Sequence, residues 1–69
     1  MSKYEPLWIY LKKEQKESFR LSFDDILNIL GFKIDHSFLK YKNEAKDYGY
    51  EVIKISLKEK YIIISKYKN

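Results

Sequence analysis

The chain has no cysteine and only two glycines, one proline and one histidine among its 69 residues. Without cysteine there are no disulfides or thiolate metal sites, and His36 alone offers little for an imidazole metal site. Two glycines are too few for a phosphate-cradling loop. The longest aliphatic run, residues 62–64, is too short to cross a bilayer, and no signal peptide opens the chain. We therefore expect a cytoplasmic protein without metal or cofactor.

Aromatic and basic residues are abundant instead. The chain contains seven tyrosines, four phenylalanines and one tryptophan, and its net charge is +4. Its length allows one domain, spanning residues 1–69, and such a domain buries only about 60% of the surface that its unfolded chain exposes. Small domains without disulfides often depend on a partner subunit. The composition, rich in lysine, isoleucine and tyrosine, indicates an AT-rich genome such as that of a low-GC bacterium or its phage.

The best-defined stretch, residues 20–52, predicts two short helices joined by a tight turn, which is the pattern of a helix-turn-helix. Ser22 and Asp25 are spaced as a capping box at the start of the first helix. Gly31 stands where a left-handed residue would end it. An apolar stripe at helical spacing lies between them and comprises Phe23, Ile26, Leu27 and Leu30. The pattern predicts a helix over residues 23–30.

The second helix is predicted over residues 36–48, with Asp35 as its N-cap and Gly49 as its stop. One face is apolar and carries Phe38, Tyr41, Ala45 and Tyr48. The opposite face and its flank are polar and carry Lys40, Lys42, Asn43, Glu44, Lys46 and Asp47. In a DNA-binding helix-turn-helix these polar residues would meet the groove.

The flanking segments predict a helix over residues 5–16, a strand over 19–22 and a hairpin of 50–57 with 61–67. Placing Val52 on the same face as Ile55 requires a bulge near Ile53. The fold class is therefore α+β (mainly α), a winged helix-turn-helix with a small antiparallel sheet. The predicted core contains Leu7, Leu11, Leu21, Phe23, Ile26, Leu30, Phe38, Tyr41, Ala45, Ile55, Leu57, Ile62 and Ile64.

Several short motifs are distributed along the chain, namely Tyr4-Glu5-Pro6-Leu7, Tyr10-Leu11, Leu21-Ser22-Phe23, Ile26, Ile29-Leu30-Gly31, Ser37, Asn43, Ala45 and Gly49-Tyr50-Glu51-Val52. With these residues the chain resembles an uncharacterised family of small prokaryotic domains of winged helix-turn-helix-like topology. The resemblance implies a shared fold and carries no activity. The family pattern has tryptophans in the third helix, where this chain has Tyr41, and a longer segment before the glycine.

Motifs that carry catalysis elsewhere have simpler explanations here. Ser37 and Lys40 match the serine-lysine spacing of penicillin-binding enzymes, but the companion motifs are absent. The consecutive residues 35–37 contain three triad residue types, yet neighbouring side chains cannot arrange themselves as a triad. Asp24 and Asp25 fit helix capping better than cation binding. We expect a protein that is not an enzyme.

Charge is unevenly distributed along the chain. Residues 1–20 carry +2, residues 21–35 carry −2, residues 36–49 carry +1 and residues 50–69 carry +3. One hypothesis is DNA binding, in a transcriptional regulator, through Lys40, Lys42, Asn43, Lys46, Lys58 and Lys60. The alternative is a protein-protein interaction module, such as a phage-encoded inhibitor of a host nuclease or defence complex. Glu44 and Asp47 on the second helix favour the alternative because they repel phosphates.

Trp8 and Ile9 complicate the first helix, where Leu7, Tyr10 and Leu11 already form an inward stripe. An exposed tryptophan beside an isoleucine indicates a partner interface, and the simplest partner is a second copy, giving a homodimer through this helix. The other interpretation is that Trp8 folds over the chain's own last strand, at Ile63 or Tyr67.

Overall fold

The computed structural model describes residues 2–67 and is an α+β fold in which three helices pack against a three-stranded antiparallel sheet. The order of elements along the chain is helix, strand, helix, helix, strand, strand, as the sequence predicts. The elements are α1 (Glu5–Glu14), β1 (Ser18–Ser22), α2 (Phe23–Leu30), α3 (Ser37–Tyr41), a 3₁₀ helix (Lys42–Tyr48), β2 (Tyr50–Ser56) and β3 (Tyr61–Lys66). Across residues 2–67, no helix has the length and apolar character needed to cross a bilayer.

Helix α2 is confirmed with its predicted bounds. The Ser22 hydroxyl accepts a hydrogen bond from the backbone N–H of Asp25, and the Asp25 carboxylate accepts one from the backbone N–H of Ser22, at 3.0 and 3.1 Å. These two bonds satisfy backbone donors that a helix start leaves without partners. Gly31 ends the helix with φ of 83°, a left-handed conformation that glycine adopts without a side-chain clash.

The sheet confirms the predicted hairpin and its bulge. Strand β3 lies in the centre, between β1 and β2, and both pairings are antiparallel. Val52 pairs with Ile64 and Lys54 pairs with Ile63, so Ile53 has no partner across the strand. This bulge brings Val52 and Ile55 to the same face, where both pack against the core.

The predicted second helix is wrong over its C-terminal half. Only the first turn, α3, is α-helical, and Lys42–Tyr48 form a 3₁₀ helix. In a 3₁₀ helix side chains three residues apart lie above one another. Lys42, Ala45 and Tyr48 follow this spacing and turn inward, with Ala45 fully buried and the other two half-buried. Gly49 stops the segment as predicted.

Most of the predicted core is buried, and the exceptions are informative. Eight of the predicted residues are buried, and Phe23, Leu30, Tyr41 and Ile55 pack against them partly buried. Leu57 is wrong: its side chain is 76% exposed. The predicted list also lacks five buried aromatic residues, Tyr4, Trp8, Phe19, Tyr50 and Tyr61.

Trp8 is fully buried, so its assignment to a partner interface is wrong. Its ring lies 6.1 Å from that of Phe38, and its indole N–H donates a hydrogen bond to a Glu44 carboxylate oxygen at 3.2 Å. Glu44 also accepts a hydrogen bond from the Ser2 hydroxyl. Trp8 therefore joins α1 to α3 and the 3₁₀ helix.

The error at Trp8 has a geometric reason. Successive helical residues are about 100° apart around the axis, so Leu7, Leu11, Tyr4 and Trp8 share one arc of about 100°. All four are fully buried. The predicted inward stripe included Tyr10 and left out Tyr4, which precedes the helix. Its centre was therefore on the opposite side of Leu7 from Trp8. Ile9 lies opposite this arc and is 51% exposed.

We expect Trp8→Ala to lower the free energy of unfolding by about 3–5 kcal/mol, because it leaves a large cavity at the junction of α1 and α3. Ile9→Ala is the matched control in the same helical turn and should change it by less than about 0.5 kcal/mol. Urea denaturation followed by circular dichroism measures both. Equal effects of the two substitutions would contradict the packing described for Trp8.

Candidate binding cleft

An apolar cleft opens between the start of α3 and the turn that joins β2 to β3. Its volume is about 460 Å³. One wall comes from α3 and the loop before it, and the other comes from the end of β2 and the first residue of the turn. The cleft is lined by Phe23, Ile34, Asp35, His36, Phe38, Leu39, Ile55 and Leu57.

Two of the exposed large apolar side chains, both leucines, lie at the rim of the cleft. Leu39 is 54% exposed and Leu57 is 76% exposed, whereas Phe38 behind them is buried. Leu57 is exposed because strand pairing ends at Ser56, opposite Tyr61, so Leu57 belongs to the turn and not to the strand. An apolar side chain that docked here would remove these leucines from water.

The α3 wall is held by a polar cluster around Asp35. The Asp35 carboxylate accepts hydrogen bonds from the backbone N–H of Ser37 at 2.8 Å, from the Ser37 hydroxyl and from the Tyr4 hydroxyl. Lys3 forms an ion pair with its other oxygen at 3.1 Å. Asp35 therefore caps α3, as predicted, although from one residue before the N-cap position, which His36 occupies.

The cluster also explains the residues that resembled catalytic motifs. Hydrogen bonds from the Ser37 hydroxyl and then from its backbone N–H, assisted by Lys3, hold the pKa of Asp35 well below its ordinary value of 3.8. The Ser37 hydroxyl lies 2.7 Å from the Tyr4 hydroxyl. Asp35 and Ser37 thus act as a helix cap that ties α3 to the start of α1.

The opposite wall is fixed by hydrogen bonds within the turn. The backbone N–H of Glu59 donates to the Ser56 hydroxyl at 3.1 Å. The backbone N–H of Phe23 donates to the carbonyl oxygen of Lys60 at 2.9 Å, so the end of the turn is attached to the start of α2. Lys60 itself has φ of 59°, a left-handed conformation that closes the turn.

A smaller and more polar cavity adjoins the cleft. Its volume is about 210 Å³, and it shares Phe23 and Ile34 with the cleft. Its remaining lining residues are Asp24, Leu27, Lys33 and Lys60. An apolar site therefore adjoins one that two lysines border.

The residues predicted to contact DNA fall into two groups beside the cleft. Lys40, Lys42, Asn43 and Lys46 follow one another along α3 and the 3₁₀ helix, whereas Lys58 and Lys60 belong to the turn. Lys42 is half-buried, and the other five are exposed. Leu39 precedes Lys40 and Leu57 precedes Lys58, so the rim of the cleft brings apolar side chains to the surface between the two groups of lysines.

Lys46 is less available for contact with DNA than the sequence predicts. Its ammonium group lies 3.7 Å from a Glu51 carboxylate oxygen and 5.0 Å from the centre of the Tyr67 ring.

The cleft itself was not predicted from the sequence. One signal for it was present in the sequence. Leu39 lies outside the apolar stripe of its helix, so the core does not cover its side chain.

The low pKa of Asp35 predicts that part of the protein's free energy of unfolding is lost in acid. Because the folded state lowers the pKa of Asp35, its contribution to stability is present above pH about 4 and is lost as the pH falls toward the folded-state value. We expect the wild type to lose more stability than Asp35→Asn when the pH is lowered from about 6 to about 3. Urea midpoints at each pH measure this, and parallel pH profiles of the two proteins would contradict it.

The chain has no significant match among protein-family models, curated proteins or solved structures.

Proposed function

We propose that the protein is a small winged-helix domain that binds a segment of another protein in the cleft between α3 and the β2–β3 turn. The order of elements supports the winged-helix assignment, and so does the sheet order β1-β3-β2, in which the last two strands form the wing. In this assignment α3 with the 3₁₀ helix is the second helix of the helix-turn-helix.

The observation that carries the proposal is the exposure of Leu39 and Leu57 at the mouth of an apolar cleft. Scattered exposed apolar residues are ordinary on protein surfaces, but two leucines that share a concave site with Phe23, Ile34 and Ile55 are typical of a binding groove. The cleft is also preorganised, because hydrogen bonds at Asp35, Ser56 and Lys60 hold its two walls. A partner therefore gains apolar contact without first having to order the site.

The second candidate function is DNA binding, and the specific observation in its favour is the exposed lysines on both sides of the cleft. Lys40, Lys58 and Lys60 are all exposed. Three features place it second. The surface between these lysines is apolar, the α-helical part of the recognition helix is one turn long, and Lys46 is close to Glu51.

Selection of peptides from a random displayed library against the immobilised domain tests the protein-binding proposal. We expect peptides that bind the wild type and lose at least tenfold in affinity for Leu57→Asp, because a buried charge at the rim is costly. Leu57 is in contact mainly with solvent, so its substitution should leave the unfolding midpoint unchanged. Ile53→Asp, an exposed isoleucine outside the cleft, is the matched control and should bind like the wild type. Selection of no peptide that distinguishes wild type from Leu57→Asp would refute the proposal.

A mobility-shift assay with mixed-sequence duplexes at low salt tests the DNA-binding candidate. If the lysines contact phosphates, the affinity should fall steeply as salt rises. Lys40→Gln and Lys58→Gln should each then lower the slope of log affinity against log salt by about one. Lys13→Gln, an exposed lysine on α1, is the control. Absence of a shift at tens of micromolar protein would exclude this candidate.

A further inference from the structure

We propose that the segment bound in the cleft is acidic as well as apolar: an aliphatic or aromatic side chain enters the cleft, and an adjacent Asp or Glu side chain reaches Lys33 and Lys60 in the smaller cavity. This inference rests on the proposed function and specifies its ligand. It concerns the same surface and adds a chemical class of partner, which the apolar cleft alone does not define.

The two cavities adjoin, because Phe23 and Ile34 line both. A ligand side chain that fills the larger cavity therefore places its neighbours in the ligand close to the smaller one. The lining differs between the two cavities. The larger cavity is walled mainly by aromatic and aliphatic side chains, whereas Lys33, Lys60 and Asp24 line the smaller one.

The charges of the site favour an anionic group. The smaller cavity has two lysines against one carboxylate, that of Asp24. The other carboxylate of the site, Asp35, is already occupied by the Ser37 N–H, the Ser37 and Tyr4 hydroxyls and the Lys3 ammonium group. A basic segment would meet two lysines against the single carboxylate of Asp24. An acidic segment would pair with those lysines at the rim.

The position of Lys60 is fixed at the backbone. Its carbonyl oxygen accepts the hydrogen bond from the Phe23 N–H, and Phe23 begins the helix that Ser22 and Asp25 cap. The Lys60 side chain therefore leaves the turn from a defined point next to the shared wall of the two cavities. Both lysine side chains are exposed, so they can close on a carboxylate with little loss of packing elsewhere.

The test extends the peptide selection. Peptides recovered on the wild type should carry Asp or Glu next to their apolar residues more often than the unselected library does. One such peptide is synthesised with its acidic residue and, as a matched probe, with Gln or Asn in its place. Fluorescence polarisation then measures both peptides against the wild type, against the double variant Lys33→Gln with Lys60→Gln, and against Lys58→Gln. Lys58 lies in the same turn as Lys60 but lines neither cavity, and circular dichroism confirms that each variant is folded.

The expected result is a loss of roughly fivefold in the affinity of the acidic peptide for the double variant, since the exposed ion pairs to the two lysines are lost. The amide peptide should bind the wild type and the double variant equally, and Lys58→Gln should bind both peptides like the wild type. Added salt should weaken the acidic peptide more than the amide peptide.

Other outcomes overturn the inference in distinguishable ways. Peptides that need Leu57 but show no acidic preference would refute the acidic ligand and leave the proposed function in place. Absence of any peptide that depends on Leu57 would refute both. Concentration-dependent dimerisation that Leu57→Asp abolishes would assign the cleft to a second copy of the chain. A DNA mobility shift lost in the Lys33 and Lys60 double variant would assign the lysines to phosphate contacts.

Discussion

The burial of Trp8 is the interaction on which the rest of this small fold depends. A tryptophan brings the largest apolar surface of any side chain, and its N–H needs a hydrogen-bond acceptor once buried. Phe38 provides the packing and Glu44 provides the acceptor. Because α1, α3 and the 3₁₀ helix all meet at this one ring, its position determines where α3 lies and therefore where the wall of the cleft stands. The same burial removes the reason for expecting a homodimer through α1, of whose two proposed contact residues only Ile9 stays exposed.

The cleft follows from this arrangement together with the end of the β2–β3 hairpin. Helix α3 uses Phe38 for the core and leaves Leu39 at its edge, while β2 ends one residue before Leu57. Neither leucine has a place in the interior, and the two face a common concave site. Hydrogen bonds to Asp35, Ser56 and Lys60 hold each wall in place, so a ligand does not have to order the site on binding. The site is thus built from residues that the core does not use.

Prediction from the sequence succeeded where the deciding contacts are between near neighbours. The capping box of Ser22 and Asp25 and the left-handed Gly31 specify α2 within a few residues. The hairpin and its bulge at Ile53 follow from the alternation of apolar residues. Prediction failed at Lys42–Tyr48 and at Leu57. In the first case the apolar spacing fits two helix types, and in the second it extends one residue beyond the last strand pair.

The sequence by itself therefore determined the order of helices and strands, the helix and turn boundaries at Ser22 and Gly31, and the face that each strand of the hairpin turns inward. These depend on backbone hydrogen bonds and side-chain periods that act over a few residues. Only the tertiary structure decided that Trp8 is internal, because its two partners lie thirty or more residues further along the chain. It alone also brought Leu39, Leu57, Lys33 and Lys60 to one site, since their distance depends on how α3 and the hairpin dock on the core. A candidate binding site of this kind is a property of that docking, which local patterns do not encode.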